Sequence, residues 1–343
     1  MRKLATVRII NKISPIPDAS AIEVAQIDGW EVVIKKDEFN TGDMVVYCEI
    51  DSWIPHELAP FLSKGKDPRK YNGVLGERLK TISLRGQISQ GLVLPIGILP
   101  QNERKTCNDV SEILNIQKWE PPIPVELAGS VEGIFPHFIP KTDQERIQNL
   151  VEDLENWKNF SIGLGTPIKW EVTEKLDGSS MTAFSYNGKF GACSRNWEIK
   201  ESETNTFWRM VRKYQLKDII KGNFAIQGEV IGPGIQGNKY NLNDQEFYIF
   251  DIYNIDEKRY LDPTERSKFL HDAYLSTKNL IVNHVPILFT DFDIDKLTVG
   301  DIIQMADGNS VVNEKTKREG LVFKVKDFSF KAISNKWLKR HDE

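Results

Sequence analysis

Short runs in which apolar and polar residues partly alternate make up most of the first hundred residues. The runs ATVRIINKI, IEVAQI, WEVVIK and MVVYCEI are rich in Val and Ile, and turn-forming segments such as SPIPDAS, IDG and NTGD separate them. The pair ERLKTISLRGQ and SQGLVLPIG continues the pattern. Short strands with turns about every 8–12 residues are typical of a small β-barrel or sandwich. We therefore expect residues 1–118 to form a five-stranded barrel.

A second pattern begins near Pro167, where apolar strands alternate with short helices. The predicted strands lie in IKWEVTEKLDG, MTAFSYNG, FGACSRN, FAIQGEVIG, EFYIFDIYN and GLVFKVKD. These strands also carry most of the unusual polar residues of the region, and the chain has no internal repeat. The pattern predicts an α+β domain over residues 166–343. The expected fold class is α+β, with a β-barrel domain ahead of an α+β domain.

The stretch between the two predicted domains, residues 119–165, combines a linker with a helix. The proline-rich segment KWEPPIPVELAGSVEG predicts an extended linker. The segment PKTDQERIQNLVEDLENWK predicts a helix, since Thr142 can cap it and Glu145 occupies the capping-box position. An apolar stripe at helical spacing supports the helix and consists of Ile147, Leu150, Val151, Leu154 and Trp157.

The composition is that of an ordinary globular protein. Of 343 residues, 40% are apolar and 27% are charged, and no stretch approaches the roughly 18–20 apolar residues of a membrane span. The start, MRKLATVRII, lacks the apolar segment and cleavage site of a signal peptide. Three widely separated cysteines (Cys48, Cys107 and Cys193) favour reduced thiols. We expect a cytoplasmic monomer without a membrane partner or a structural zinc site.

The distribution of charge matters more than its sum. A net charge of −4 argues against avid nucleic-acid binding. However, residues 62–86 hold seven Lys or Arg against two acids, and residues 315–340 hold nine against two. Two basic islands on an acidic protein could form a local phosphate-binding footprint, although either could equally be a solvated face. The first island suits an OB-like barrel, whose usual ligands include nucleic acids.

The sharpest chemical signal is EKLDGSS at residues 174–180. Lys175 follows a strand with alternating apolar residues and precedes a turn that contains glycine, which predicts an amine at the mouth of a sheet. A lysine nucleophile must be neutral, and desolvation or a nearby cation favours that state. A Lys-x-Asp-Gly sequence alone is more often a surface turn. The interpretation therefore depends on the segments that accompany it.

Four further segments follow Lys175 in order. They are SRN with Arg195, QGEVIGPGIQ with Glu229, FYIFDIYN with Phe250, and REGLVFKVKDFSFKAISNKW with its acid and lysines. Nucleotidyl transfer needs an aromatic ring for the base, carboxylates for ribose and metal, and cations for the α-phosphate. Each segment alone has an ordinary structural explanation. Their joint presence in this order indicates a nucleotidyl-transfer site.

These segments resemble motifs I, Ia, III, IIIa, IV and V of the covalent nucleotidyltransferase superfamily, which includes DNA ligases, RNA ligases and capping enzymes. GEVIGPGIQ followed by FYIFDI resembles the RNA ligase 2-like branch. The N-terminal segments PIPDASAIEVAQIDGWEVV, GDMVVYCEIDSWIP and LRGQISQGLVLP resemble RNA ligases of the RNA ligase 5 class. The resemblance spans nearly the whole chain. It implies an OB-fold domain followed by a nucleotidyltransferase domain.

The resemblance also implies roles for individual residues. Lys175 would be the catalytic residue that carries AMP from ATP, and Asp177 and Glu319 would hold a hydrated Mg²⁺ or Mn²⁺. Glu229 would bind the ribose, and Phe250 would stack on the base. The other implied nucleotide-pocket residues are Glu174, Leu176, Ser180 and the motif Ia arginine Arg195, with Lys324, Lys331 and Arg146 as phosphate contacts.

One position departs from the family pattern. Motif V often reads Lys-x-Lys, whereas this chain has Lys331-Ala332-Ile333, and whether Lys336 replaces the missing second lysine is left open by the sequence. The expected activity is ATP-dependent RNA ligation at nicks in a duplex with RNA on the 3′-OH side, with a role in RNA repair. The alternatives are a DNA ligase, a GTP-using capping enzyme, or an OB-fold RNA-binding protein with an inactive ligase domain. In DNA ligases and capping enzymes the OB domain normally follows the catalytic domain, which disfavours both.

Overall fold

The computed structural model describes residues 3–120, 130–277, 280–326 and 328–341. The predicted proline-rich linker falls largely outside these ranges. The strands are β1 Ala5–Ile9, β2 Lys12–Pro15, β3 Ile22–Ile27, β4 Trp30–Lys35, β5 Met44–Cys48, β6 Ser52–Pro55, β7 Arg69–Tyr71, β8 Val74–Arg78, β9 Thr81–Leu84, β10 Gln87–Gln90, β11 Leu92–Pro95, β12 Gln117–Lys118, β13 Val131–Ile134, β14 Glu145–Arg146, β15 Lys169–Lys175, β16 Ser179–Tyr186, β17 Lys189–Cys193, β18 Trp197–Ile199, β19 Phe224–Ile231, β20 Glu246–Asn254, β21 Arg259–Tyr260, β22 Asn283–His284, β23 Ile287–Asp293, β24 Gly320–Val325 and β25 Phe328–Ile333.

Six α-helices accompany these strands in the described residues. They are α1 Val151–Leu164, α2 Thr206–Lys213, α3 Leu216–Ile219, α4 Pro263–Ser276, α5 Val299–Ala306 and α6 Asn335–His341. Short 3₁₀ helices cover Pro60–Ser63, Ile96–Ile98, Gln101–Glu103, Ile147–Asn149 and Gln236–Asn238. The strands predicted from alternation in both halves of the chain are confirmed. No helix in the described part of the chain is long and apolar enough to cross a membrane.

The chain forms two compact units. The first consists of the described residues up to 120 together with 147–152 and 338–341. Its sheets have the strand orders β1-β5-β11, β2-β3-β4, β9-β10 and β12-β6-β8-β7. Strand β5 is buried on both faces, because Val46 and Cys48 pack into one apolar cluster while Val45 and Tyr47 pack into another. The alternation of β5 therefore supports two layers of core.

The basic island at residues 62–86 lies in this first unit and is partly neutralised there. Arg69 forms an ion pair of 2.5 Å with Glu77. Arg78 forms one of 2.5 Å with Asp51, and its guanidinium lies 4.1 Å from the ring centroid of Trp119. The three cysteines are all unpaired thiols, as predicted, with Cys107 exposed and the other two buried.

The second unit comprises the described parts of residues 130–146 and 153–337 and is built on two sheets. An eight-stranded sheet has the order β13-β18-β17-β16-β19-β20-β21, with β22 also paired to β20. A five-stranded sheet has the order β14-β25-β24-β15-β23. One face of the eight-stranded sheet packs through Met181 and Ala183 of β16 against α2, α3 and α4. Its other face carries Ser180 of the site described below, beside a second apolar cluster around Phe184.

The predicted helix from Thr142 to Trp157 is wrong in its first half. Helix α1 begins at Val151, because Glu145 and Arg146 pair instead as a parallel strand with β25. Thr142 does not cap a helix and shares a hydrogen bond of 3.2 Å with Ser180. The apolar stripe is real, but its first member Ile147 is fully buried in a 3₁₀ turn. Strand pairing with a distant segment overrides the local capping signal.

Candidate active site

Lys175 ends strand β15, which lies between β24 and β23 in the five-stranded sheet. Its register partner is Gly320, where a Cβ atom would lie 2.2 Å from the carbonyl oxygen of Ala332. A glycine is therefore needed beside the lysine for the strands to approach. The Lys175 side chain is 26% exposed, and its Nζ donates a hydrogen bond of 2.6 Å to Oε2 of Glu319. The amine is thus accessible to solvent, and its position is fixed by Glu319.

Three carboxylates surround this amine and control its charge. Burial lowers the pKa of Lys175, but the charges of Glu319 and Glu229 outweigh it, so the pKa lies above its ordinary value. Burial raises the pKa of Glu229 to about 8; Lys175 opposes that rise, and Glu319 and Asp177 add to it. Burial also raises the pKa of Glu319 against the effect of Lys175. Three carboxyl groups therefore crowd around the lysine, and burial favours the protonated forms of Glu229 and Glu319.

The turn after Lys175 is fixed by two residues that the sequence pattern did not single out. The backbone amide of Asp177 donates a hydrogen bond of 2.7 Å to the hydroxyl of Tyr240. The Asp177 carboxylate forms an ion pair with Lys239. Backbone oxygens of Lys239 and Tyr240 accept hydrogen bonds from Thr316 (2.7 Å) and Asn313 (3.0 Å). The only sequence signal was their place in GNKYNLN, just after the Gly-Pro-Gly turn.

Glu229 belongs to the same turn. It lies on β19 opposite Ser180 of β16 and accepts a hydrogen bond of 3.0 Å from the backbone amide of Gly178. The structure therefore brings together Lys175, Asp177, Ser180, Glu229 and Glu319, all five of which were predicted as site residues.

Glu174, Leu176 and Phe250 form the apolar side of the site. Leu176 is buried in a cluster with Ile231, Tyr240 and Val285, against which Phe250 packs. Glu174 is 1% exposed, and its Oε2 accepts a hydrogen bond of 2.8 Å from the amide of Val311. Its Oε1 is buried without a hydrogen-bond partner among the described residues. Burial raises the pKa of Glu174, opposed by its hydrogen bonds and by Arg318.

Three predicted cations meet at another corner of the same unit. Arg146 of β14 is the register partner of Lys331 on β25. Lys331 Nζ lies 3.2 Å from Oδ1 of Asp143, and Arg195 lies 3.5 Å from the same oxygen. Arg195 is half exposed, whereas Arg146 and Lys331 are buried. One acid thus gathers two cations beside a third, an arrangement suited to binding phosphate.

Lys324, also predicted as a phosphate contact, has a different environment. Its register partner is Glu171, four residues from Lys175 along β15, or about 13 Å at the rise of a strand. Its Nζ donates to Oδ1 of Asp251 at 2.7 Å and to the backbone oxygen of Phe250 at 2.5 Å. Burial lowers its pKa, and Asp251 opposes that shift. Phosphate binding by Lys324 remains a prediction. In this structure its amine binds Asp251 and the backbone oxygen of Phe250 instead.

Lys336, which might replace the missing motif V lysine, is 72% exposed. Its Nζ lies 3.0 Å from Oδ2 of Asp307, whose Oδ1 accepts a hydrogen bond of 2.5 Å from Ser334. The structure therefore places Lys336 at Asp307.

A lysine amine at a strand end, beside carboxylates and with a cationic corner nearby, is an arrangement that covalent nucleotidyl transfer requires. Comparisons with known proteins identify the family within this class. A family model described as RNA ligase matches residues 168–341, and a model of an OB-fold domain matches residues 4–96. The chain belongs to the RNA ligase family. The predicted OB-fold domain ahead of the ligase domain is confirmed.

Solved structures of one RNA ligase are similar to this chain over nearly its full length. A Lys-to-Met mutant of the Naegleria gruberi RNA ligase with AMP and Mn has a TM-score of 0.89 at 47% identity, covering 99% of each chain. A Glu-to-Ala mutant of that ligase with ATP and Mn has a TM-score of 0.88 at 46% identity, covering 100% of each chain. The same ligase with PPi has a TM-score of 0.88 at 47% identity and covers 99% of each chain. A search of curated proteins gave no match.

Proposed function

We propose that this chain is an ATP-dependent RNA ligase in which Lys175 is the nucleophile. The observation that carries the proposal is the Lys175 amine at 2.6 Å from Glu319, at the end of β15 and within reach of solvent. The amine would attack the α-phosphorus of ATP, forming a P–N bond as pyrophosphate leaves. The RNA 5′-phosphate would then displace the lysine and take AMP. The 3′-OH would finally displace AMP and form the phosphodiester.

The apolar side of the site favours adenine as the base. Leu176 and Phe250 offer apolar surface on which a base can stack. The buried Oε1 of Glu174 lacks a donor, and a buried acceptor without a donor costs free energy. The exocyclic amine of adenine can donate there, whereas guanine presents a carbonyl oxygen at the equivalent position. Glu174 therefore supports ATP rather than GTP as the nucleotide.

The carboxylates beside Lys175 would supply oxygen ligands for a divalent cation. Asp177, Glu229 and Glu319 surround one lysine and raise its pKa, so the amine is protonated until negative charge is removed. Carboxylate oxygens are the ligands that Mg²⁺ and Mn²⁺ prefer. A bound Mg²⁺ or Mn²⁺ would neutralise phosphate charge and favour the neutral amine. The chain's own contribution is to fix Asp177 through Lys239 and Tyr240, and Glu319 through its bond to Lys175. The metal complexes of the Naegleria ligase support this assignment.

The cationic corner would bind phosphates. Arg146, Arg195 and Lys331 converge around Asp143, and an arriving phosphate could take over the contacts that Asp143 now makes. Ser180 lies between this corner and Glu229, because it contacts Thr142 and pairs with Glu229. The pocket would thus run from base to ribose to phosphate.

The substrate preference is proposed to be a duplex nick with RNA on the 3′-OH side. A 2′-OH beside the attacking 3′-OH distinguishes RNA from DNA and can help fix its position. Small misplacements of a nucleophile cost large factors in rate, so DNA on that side would be sealed poorly. Action on nicked RNA would give the protein a role in RNA repair, as a cytoplasmic monomer. An RNA-binding protein with an inactive ligase domain is disfavoured, because the lysine and its carboxylates are in place.

Incubation with α-labelled ATP and Mg²⁺ or Mn²⁺ tests the proposal. The protein should gain a label that survives denaturation and is lost in mild acid, and α-labelled GTP should give little. Substitution of Lys175 should abolish the label. The matched control is Lys221→Ala, which should label like wild type, since Lys221 is 73% exposed in the same unit. Absence of label on the wild type would refute the proposal, and efficient labelling by GTP would favour a capping-type enzyme. Equal sealing of nicks with RNA or DNA on the 3′-OH side would favour a DNA ligase.

A further inference from the structure

Three residues that follow Arg146 of the cationic corner directly in the chain are enclosed by the first unit. Arg146 ends β14, and Ile147 begins a short 3₁₀ helix that ends at Asn149. Residues 147–152 belong to the first unit, together with the described residues up to 120. Ile147 is fully buried, and Gln148 is 1% exposed. The nucleotidyl-transfer chemistry proposed above uses none of these three residues.

The turn between β3 and β4 contacts this helical turn. The backbone amide of Gly29 donates a hydrogen bond of 3.2 Å to the carbonyl oxygen of Gln148. The β3–β4 turn is itself fixed, because Arg8 forms an ion pair of 2.5 Å with Asp28. The amide of Asp28 also donates a hydrogen bond of 2.6 Å to Oδ1 of Asn11. Gly29 therefore presents its amide from a well-anchored turn.

The side chain of Asn149 joins two further residues of the first unit. Its Oδ1 accepts a hydrogen bond of 2.6 Å from Nε1 of Trp30, and its Nδ2 donates one of 2.5 Å to Oε1 of Glu49. Trp30 and Glu49 are 1% and 3% exposed. An indole only donates and a carboxylate only accepts, so a primary amide matches both neighbours at once. Gly29, Trp30 and Glu49 together form a clamp on residues 148 and 149, which we name the Asn149 clamp.

The clamp follows a strand that is too short to fix itself. Strand β14 consists of Glu145 and Arg146 alone and pairs in parallel with β25, where Arg146 is opposite Lys331. Parallel pairing is slightly less stable per residue than antiparallel pairing, and two residues supply few ladder bonds. The position of Arg146 therefore depends on what holds the chain on either side. Before β14 that support includes the contact of Thr142 with Ser180, and after β14 it is the Asn149 clamp.

Two N-terminal segments that resemble those of RNA ligases supply the clamp. Gly29 and Trp30 belong to PIPDASAIEVAQIDGWEVV, and Glu49 belongs to GDMVVYCEIDSWIP. Neither segment contributes a residue to the nucleotide pocket proposed above. Support of the turn after Arg146 gives both segments a part in the same reaction.

We propose that Asn149 is a positioning residue that holds Arg146 at the cationic corner, a proposal that rests on the ligase function above. Asn149 acts only through the turn that follows Arg146 and touches neither the nucleotide nor the metal. During lysyl-AMP formation negative charge develops on the leaving pyrophosphate, and a displaced guanidinium would neutralise that charge less well. Small misplacements of such groups cost large factors in rate.

The rate of lysyl-AMP formation at saturating ATP tests the proposal in single and double variants. Asn149→Ala should slow labelling about tenfold, because the turn loses both side-chain bonds. Arg146→Ala should slow it about a hundredfold, which leaves a measurable rate. The double variant should be no slower than Arg146→Ala alone, because a residue that acts only through Arg146 has no further effect once the guanidinium is gone. Losses that multiply in the double variant would overturn the proposal.

A second clamp variant guards against a folding defect in Asn149→Ala. Trp30→Phe keeps an aromatic ring and removes the Nε1 donor, so it should slow labelling less than Asn149→Ala does. It too should have no further effect in the Arg146→Ala protein. A wild-type labelling rate for both clamp variants would contradict the proposal.

A matched asparagine of the same unit separates positioning from general stability. Asn108 also makes two side-chain bonds, donating to the backbone oxygen of Glu103 at 3.1 Å and to its Oε2 at 2.8 Å. Asn108→Ala should lower thermal stability yet label at the wild-type rate. If it slows labelling as much as Asn149→Ala does, the effect reports the stability of the unit, and the positioning role is refuted.

The same labelling assay distinguishes this proposal from the ligase proposal. A wild-type protein that takes no label from ATP would defeat the ligase function itself. A labelled wild type, combined with a wild-type rate for Arg146→Ala or Asn149→Ala, would defeat only the positioning role of Asn149.

Discussion

Two lysines lie on one face of strands β15 and β24, and their surroundings differ in charge balance. Lys175 faces Glu319, Glu229 and Asp177, so acids outnumber its own charge, and its pKa is raised. Lys324, about 13 Å away along the strands, contacts Asp251, and its pKa is lowered by burial. The first environment is partly exposed and holds three carboxyl groups, of which Asp177 is paired with Lys239 and Glu229 has a pKa raised to about 8. The second is closed.

The closed environment of Lys324 includes a second buried ion pair beside the Lys324–Asp251 pair. Arg266 of α4 donates to both carboxylate oxygens of Glu171, at 2.7 and 2.6 Å, and both side chains are almost fully buried. Glu171 is the register partner of Lys324. Two cations and two acids therefore balance behind the nucleotide pocket. The contrast supports an architectural role for the Lys324 region, and it supports the proposal that a nucleotide and a cation bind at the partly exposed Lys175 region.

The largest expected effect comes from Lys175→Met, which tests the open side. Without the amine no P–N bond can form, so labelling by ATP should fall below about a thousandth of the wild-type value. Thermal stability should also fall, because Glu319 is only 12% exposed and loses its 2.6 Å partner, so labelling is measured well below the unfolding temperature. Covalent labelling measured beside calorimetry checks both statements. A labelled Lys175→Met protein would assign the nucleophile to another residue.

Next in size is Arg266→Met, which tests the closed side at its most buried point. Removing one partner of a buried pair leaves the Glu171 carboxylate unpaired and should cost about 3–5 kcal/mol of unfolding free energy. Denaturant unfolding measures this loss. The double variant Arg266→Met with Glu171→Leu should recover most of it, since apolar replacement of a buried pair is often neutral. Wild-type stability of the single variant would contradict the closed, balanced interpretation.

Lys324→Met is the matched counterpart of Lys175→Met. It leaves Asp251 without its 2.7 Å partner and should cost about 3 kcal/mol or somewhat less, since Asp251 is slightly more exposed than Glu171. Labelling by ATP, measured well below the unfolding temperature, should persist with a raised KM, because Phe250 loses the lysine bound to its backbone oxygen. If labelling vanishes while stability is unchanged, Lys324 contacts phosphate, as the family resemblance implied.

The difference between the two regions also explains what the sequence could predict. Alternation identified β15, β19, β20 and β24, because successive side chains of a strand point to opposite faces of the sheet. The motif order identified Lys175 and its carboxylates. Alternation could not separate the roles of Lys175 and Lys324, since both occupy the same face of adjacent strands. Their difference arises from Asp251, which is 73 residues from Lys324 in the chain.

Errors and omissions have the same physical origin. The helix predicted from Thr142 failed because Arg146 pairs with Lys331, 185 positions further along the chain, and no local signal reports such pairing. Tyr240 was missed because it lies in a loop without periodicity, 63 residues from its partner Asp177. Local signals predict elements and reactive residues. The contacts that tune those residues are long-range and need the structure.

The smallest predicted effect concerns the turn after Lys175, which Tyr240 helps to fix. Tyr240→Phe keeps the buried ring but removes the hydroxyl that accepts a hydrogen bond of 2.7 Å from the backbone amide of Asp177. Loss of one partner of a buried hydrogen bond costs about 1–3 kcal/mol, so ATP labelling should slow about tenfold, mainly through kcat as the turn after Lys175 loosens. The metal concentration needed for half-maximal rate should also rise, because the same turn carries the Asp177 carboxylate.

A control at a tyrosine outside the turn separates positioning from general packing. Tyr214→Phe removes a hydroxyl that accepts hydrogen bonds from Phe247 (3.4 Å) and Asn283 (3.2 Å), away from the Lys175 turn. It should reduce stability by a similar amount yet leave both the labelling rate and the metal requirement unchanged. If both tyrosine variants slow labelling equally, Tyr240 acts through packing alone. If only Tyr240→Phe shifts the metal requirement, the hydroxyl positions Asp177, and the open region depends on a long-range contact as much as the closed one does.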